Sequence, residues 1–399
     1  ALEINTKFYK IVVVDGIGVR SIEKPPVGNY TYSATYKGTD KISRAVDTGV
    51  FEVLPVDYNV ILNAPDVKMI YHDGTRFTAT LTDKKGNPIR DATIEITVNG
   101  RSYDKVTDEK GSVSLGLNLD SGIYSVVVKF KGLPNYTPIT KHANVTIEPT
   151  VKGLDVVKMF RNSTQYYAIF TDSHGNFLKN KNVQFNINGV FYTKTTNDKG
   201  IAMMGINLNP GKYIITAKNL VTGEQSSNII TVKSLIVQKD LTKYYLNASR
   251  FEATIYNKDG SLAVNKEVTF NINGVFYHRT TDSNGVASLG ISLRPGEYII
   301  TTMFDGLAIG NKVTVLPTLV TKNLNMKYLD GSSFTAQTLD GQGKPLANQN
   351  VSFNVNGVFY YKVTDNNGMA KLNIRLMPGE YIITSCWNNF QTGNTIKIE

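Results

Sequence analysis

The chain has 399 residues and a formal net charge of +10, with 22 Tyr but only 4 His, 1 Trp and 1 Cys. The lone Cys386 excludes an internal disulfide framework, and the scattered His72, His142, His174 and His278 lack metal-ligand spacing. Lys and Arg are dispersed rather than run together, so no nucleic-acid partner is expected; the charge reads as a solvated basic surface or as attraction to an anionic wall polymer or headgroups.

Residues 1–65 read as a partial unit. Aligning Phe8-Tyr9 with Phe276-Tyr277 sets Gly28 and Tyr30 on Gly296 and Tyr298 without a gap, and Leu2 and Ile4 on Phe270 and Ile272. The strands equivalent to Asp240 through Glu267 are missing, and so is the Asn-Gly turn. A piece of a longer protein, a smaller complete variant, and a unit completed by strands from another chain all remain open, the last because an uncovered sheet invites pairing.

Four fuller units follow, at 66–150, 151–236, 237–319 and 320–399. Asn188-Gly189-Val190-Phe191-Tyr192 returns at Asn273 to Tyr277 and at Asn356 to Tyr360, with a looser copy at Asn99 to Tyr103. Spacings of about 83 to 89 residues are domain-sized rather than solenoid-sized. In the unit at 237–319, Tyr244 and Tyr245 open a first strand and Arg250 to Tyr256 form a second. Val268, Phe270 and Ile272 then alternate with Thr269 and Asn271, a strand with one wet face. Asn273-Gly274 is a strong signal for a two-residue hairpin, since both residues tolerate positive φ. Ala287, Leu289, Ile291 and Leu293 alternate again, Pro295-Gly296 breaks the run, and Lys312 to Leu316 close the unit. About seven short antiparallel strands with regular turns predict an immunoglobulin-like β-sandwich. Gly-x-Tyr recurs at Gly122/Tyr124, Gly211/Tyr213, Gly296/Tyr298 and Gly379/Tyr381, where a tyrosine corner would sit. The recurring hydrophobic positions read as core and turn chemistry. The fold class expected is all-β: tandem immunoglobulin-like sandwiches on short linkers, forming an elongated rod whose first unit is incomplete.

The segment GSLAVNKEVTFNINGVFYHRTTDSNGVASLGISLRPGEYIIT resembles the immunoglobulin-like repeats of adhesin-like surface proteins of methanogenic archaea, and more distantly those of intimin and invasin. The resemblance implies a large secreted or wall-associated protein that attaches to a host, a partner cell or a cell-wall polymer. It supplies no ligand.

No nucleophile elbow, phosphate loop or zinc pattern is present, so neither catalysis nor a cofactor is expected. The turns at Asp83/Gly86, Asp259/Gly260, Asp282/Gly285 and Asp330/Gly331 suit Ca²⁺, but Asp and Gly are also what tight turns need. Lys158 and Lys243 share a position that Met69 and Met326 occupy in other units, and Asn144, Asn228, Asn311 and Asn394 recur before the last strand. A desolvated lysine loses its proton readily, so Lys158 with Asn228 and Lys243 with Asn311 are candidate intramolecular isopeptide pairs. The Asn also occurs in units without Lys, which favours a turn or capping role. Asn29, Asn135, Asn144, Asn162, Asn247 and Asn350 begin Asn-x-Ser/Thr sequons, candidate glycosylation sites of a surface protein.

No run approaches the ~20 apolar residues of a spanning helix, and no leader or initiator Met is present. A mature or excised chain is expected, with any membrane anchor outside it. The functional expectation is a non-enzymatic, secreted or cell-surface stalk that presents binding surface many times. The alternatives are a filament subunit that self-associates through the N-terminal half-unit by strand donation, and a wall- or carbohydrate-binding module using exposed Tyr such as Tyr244.

Overall fold

The computed structural model describes residues 1–14, 16–23, 25–53, 60–134 and 136–399, and every regular element among them is a strand. They form two compact units. One comprises residues 1–153, 167–203 and 216–227; the other comprises 154–166, 204–215 and 228–399. The border runs through the segment 151–236.

In the second unit, residues 236–316 make a sandwich. A three-stranded sheet (Ile236–Gln238, Arg250–Ile255, Val286–Gly290) faces a five-stranded one. The order in the latter is Leu241–Tyr244, Leu307–Leu316, Gly296–Phe304, Glu267–Ile272, Val275–Thr280. Strand alternation turns Phe251, Ala253, Val268, Phe270, Ala287, Leu289, Ile300 and Val313 into a buried layer. Phe251 and Phe270 meet edge to face with centroids 6.0 Å apart, a favourable geometry for two quadrupoles. Residues 319–398 repeat this plan, with Phe334 against Phe353 at 5.8 Å. In the first unit, residues 60–148 do the same, with a five-stranded sheet ordered Arg101–Val106, Thr93–Val98, Gly122–Phe130, Ile139–Glu148, Val67–Ile70. The hairpin Asn273 and Gly274 have φ of 54° and 77°, as two positive-φ turn residues require.

The expectation of seven wholly antiparallel strands needs correction. The opening strand is two pieces. Ile236–Gln238 pairs antiparallel with Arg250–Ile255; the chain then crosses at Lys239-Asp240, and Leu241–Tyr244 runs parallel to Leu307–Leu316. A chain that changes sheets can satisfy its backbone groups on both, and here it ties the two layers together. The last strand also starts earlier than expected, so Asn311 lies inside it rather than before it.

Residues 2–53 form a four-stranded sheet ordered Lys7–Tyr9, Leu2–Ile4, Gly28–Tyr36, Ala45–Val53, with a small hairpin at Val13–Val14 and Ile17–Gly18. This is the order of the four strands Val275–Thr280, Glu267–Ile272, Gly296–Phe304 and Leu307–Leu316. The face corresponding to their core carries Leu2, Ile4, Tyr30, Tyr32, Phe51 and Val53. Only Ile4 and Val53 are buried there, and Tyr30 stacks on Phe51 at 5.4 Å.

Candidate functional site

Each Gly-x-Tyr closes a tyrosine corner. The phenols of Tyr30, Tyr124, Tyr213, Tyr298 and Tyr381 donate to the carbonyls of Pro26, Asp120, Asn209, Arg294 and Met377, four residues back and 2.7 to 2.9 Å away.

In three of the four repeats the recurring Asn proves to be a clasp; Asn144 instead stands one residue further along its strand, opposite Ser125, and its backbone N–H donates to Asp66 Oδ1 at 2.7 Å. Asp240 Oδ1, at the sheet crossing, accepts from Lys312 N at 2.9 Å and from Asn311 Nδ2 at 2.6 Å. These two donors hold the Asp240 carboxyl below the usual carboxylate range. Asn311 Oδ1 accepts from Gln238 Nε2, on the other sheet, at 2.8 Å. Asp155 and Asn228 repeat this, with the Tyr166 phenol donating to Asn228 Oδ1 at 2.8 Å. Burial, with Asp155 adding, pushes the Tyr166 pKa up to about 12 and keeps that proton in place. Asn323 and Asn394 form the same clasp with Thr321.

The lysines answer to different partners. Lys158 Nζ donates to the carbonyls of Asn162, Thr164 and Ile206 at 2.5, 3.1 and 2.8 Å. Lys243 Nζ donates to Ser249 O at 3.2 Å and Ile291 O at 2.7 Å. Both are 5% exposed, and burial pushes both below the ordinary lysine pKa of 10.5. The structure does not bring the candidate isopeptide pairs together. Lys158 lies opposite Val232 and Lys243 opposite Val315, each four residues along the strand from its Asn, about 13 Å at ~3.3 Å per residue. The buried lysine is a plug for carbonyls at the end of the sandwich, a task that an acceptor-only group cannot do.

Of the sequon residues, Asn135 lies outside the described residues. Asn29, Asn144 and Asn350 are exposed. Asn162 and Asn247 are half-buried and hold joints. Asn162 Nδ2 donates to Lys258 O at 2.7 Å, and Asn247 Nδ2 donates to Gly341 O at 2.5 Å, each reaching into a turn of the following repeat. Their Oδ1 atoms accept from Thr164 N and Ser249 N, fixing the local turn. Asp73 and Asp330 occupy the same place and keep that turn with Thr75 N and Ser332 N, but have no amide to donate. Tyr244, expected as an exposed sugar reader, is half-buried with its ring against Gly343, where an added Cβ would overlap it.

The turn aspartates spend their oxygens on backbone N–H groups. Asp83 Oδ1 accepts from Lys85 N and Asn87 N, Asp282 Oδ1 from Asn284 N and Val286 N, and Asp259 and Asp330 from the N–H two residues on. Among the described residues no three His, Cys, Asp or Glu side chains group as metal ligands.

Two features escaped sequence reasoning. Thr107, Thr196, Thr281 and Thr364 are buried; Thr281 Oγ1 donates to Ala263 O at 2.5 Å and accepts from Lys266 N at 2.9 Å. The recurring Thr-Asp or Thr-Asn pair was a usable signal. The second is the exposure of the hairpin phenylalanines. Phe191, Phe276 and Phe359 are 64%, 59% and 59% exposed, on the outer face of their sheets. Phe276 stands opposite Asn271, Asn271 opposite Thr301, and Thr301 opposite Gly310.

No protein-family model matches the chain. The inverse autotransporter adhesin YeeJ of Escherichia coli strain K12 is 22% identical over 417 residues, taking in 88% of this chain and 17% of that protein. The chain thus spans 17% of the length of that curated relative. Among solved structures, an adhesin that helps an Antarctic bacterium reach out and bind ice matches at TM-score 0.18 and 15% identity, over 86% of this chain and 99% of that one. A tandem from titin matches at TM-score 0.26 and 15% identity, over 62% of this chain and 98% of that one. The chain is an all-β tandem of immunoglobulin-like sandwich sheets, distantly similar in sequence to a stretch of an inverse autotransporter adhesin.

Proposed function

We propose that this chain is a non-enzymatic stalk of a secreted or cell-surface adhesin, divided near residues 65, 150, 236 and 319, which extends and presents one surface many times. The observation that carries this reading is the recurrence of one sandwich, rebuilt with the same corner and clasp at successive positions. The similarity to a bacterial adhesin supports it; a methanogenic source is the narrower reading that the repeat sequence favours. Host, partner cell and wall polymer are the surfaces it would meet. Small-angle scattering of the full chain tests the stalk. A compact globule of 399 residues has a radius of gyration of about 21 Å. A stalk gives a value well above this, and a value near it overturns the reading.

A filament subunit is the second reading, favoured by the uncovered face around Tyr30, Tyr32 and Phe51. Strands donated onto that face would build head-to-tail, non-closing contacts. Oligomers that grow with concentration and vanish in Phe51→Lys support it; a monomer at all concentrations removes it.

A further inference from the structure

The exposed hairpin phenylalanine is one end of a repeated row. In residues 320–399, Phe359, Asn354, Thr384 and Gly393 stand opposite one another across four strands, the same four residue types as Phe276, Asn271, Thr301 and Gly310. On the side toward the hairpin turn the exposed Ile299 and Ile382 recur, opposite Lys312 and Thr395; the outer row on the other side does not repeat. It reads His278, Thr269, Met303, Ala308 in one sandwich and Tyr361, Ser352, Cys386, Gln391 in the other. Core packing explains inward identities, but it leaves an outward row free to vary. In residues 182–195 Phe191 again stands opposite Asn186.

The row's chemistry is specific. It offers an exposed aromatic face, a carboxamide, a hydroxyl, and a glycine that leaves the far end bare, over about 14 Å at three inter-strand spacings. It carries no charge although the chain is +10, and the nearby Lys312 and Glu297 are paired with each other at 2.5 Å. An anionic polymer would find nothing to pair with there. A ring with apolar C–H faces and hydroxyl edges would stack on the Phe and hydrogen-bond to Asn and Thr.

We infer that these rows are binding sites for an uncharged polysaccharide, weak singly and summed along the chain. The inference rests on the adhesin reading and names its ligand class. The test is native gel electrophoresis of the full chain through hydroxyethylcellulose, laminarin, galactomannan or dextran. At least one polymer retards the chain, and the triple variant Phe191→Ala, Phe276→Ala, Phe359→Ala weakens retardation about tenfold or more through lost multivalency. The three side chains are mostly in solvent, so the variant keeps its unfolding transition. Asn271→Ala with Asn354→Ala gives a second, smaller loss. Wild-type chain that none of the four polymers retards overturns the inference, as does a triple variant retarded like wild type. Phe-dependent self-association without retardation makes the row a protein interface and equally overturns it. Protease shaving of intact cells reads surface display separately; only its failure counts against the adhesin reading.

Discussion

Lys243 shows how one buried side chain is held by geometry and tuned by burial. Its ammonium serves the carbonyls of Ser249 and Ile291, yet Met326 fills the same place in the next sandwich. Lys243→Met keeps the volume and removes the donor to both carbonyls but also the cost of a buried ammonium, so it is expected to change stability by no more than about 1–2 kcal/mol at neutral pH. Lys243→Ala, which leaves a cavity and orphaned carbonyls, costs about 3 kcal/mol. Because burial lowers the folded-state pKa, the folded chain holds fewer protons than the unfolded one just below pH 10.5. Stability contributed by this site rises with pH toward that value, and Lys243→Met removes the slope. Hydrogen exchange of residues 286–316 across pH reads both effects locally, which matters because several sandwiches do not unfold as one two-state unit. The same measurement checks Tyr298→Phe, expected to cost about 1 kcal/mol for the lost bond to Arg294 O. No change in exchange would show the corner to be a bystander.

Among the elements, the turns carry more than chain reversal. The turn at 246–249 is fixed by Asn247 Oδ1, while Asn247 Nδ2 reaches Gly341 O beside the Tyr245–Phe390 ring contact at 5.8 Å. Asn247→Asp keeps the turn, as Asp330 does, but sets a carboxylate against a carbonyl. Spin labels at Lys266→Cys and Lys371→Cys, in a Cys386→Ser background, are expected to give a narrow distance distribution that broadens in Asn247→Asp. An unchanged distribution would remove Asn247 from the joint. A glycan on Asn247 would replace one of the two Nδ2 hydrogens and set a sugar ring at the half-buried nitrogen that meets Gly341 O, so the joint and the modification compete for the same place. From sequence, Asn247 was legible only as a sequon. Its partner Gly341 lies 94 residues on, and no local pattern encodes that meeting.

For the whole molecule, recurrence made the architecture legible. Period-two alternation around Val268, Phe270 and Ile272 dictates which face is buried, and Asn273-Gly274 dictates the hairpin, because both are local consequences of strand pleat and positive φ. The Tyr corner was legible for the same reason, as its acceptor is only four residues away. The sheet crossing at Asp240 was not, since a strand pairs in parallel or antiparallel according to which distant strand it meets. The partners of the lysine were not legible because a shared sequence position says nothing of proximity: register sets Lys158 opposite Val232 and not Asn228. The exposure of Phe276 was not legible because, in an edge strand, the same hydrophobic letter serves core or solvent according to a one-residue parity. The sequence by itself determined the all-β class, the repeat, the turns and the buried layer, all set by contacts within a few residues. Only tertiary structure decided what the buried lysines, the clasp asparagines and Asn247 reach, because those partners are brought together across 48 to 94 residues, and which face of the sheet the outward phenylalanines take, because strand register sets it.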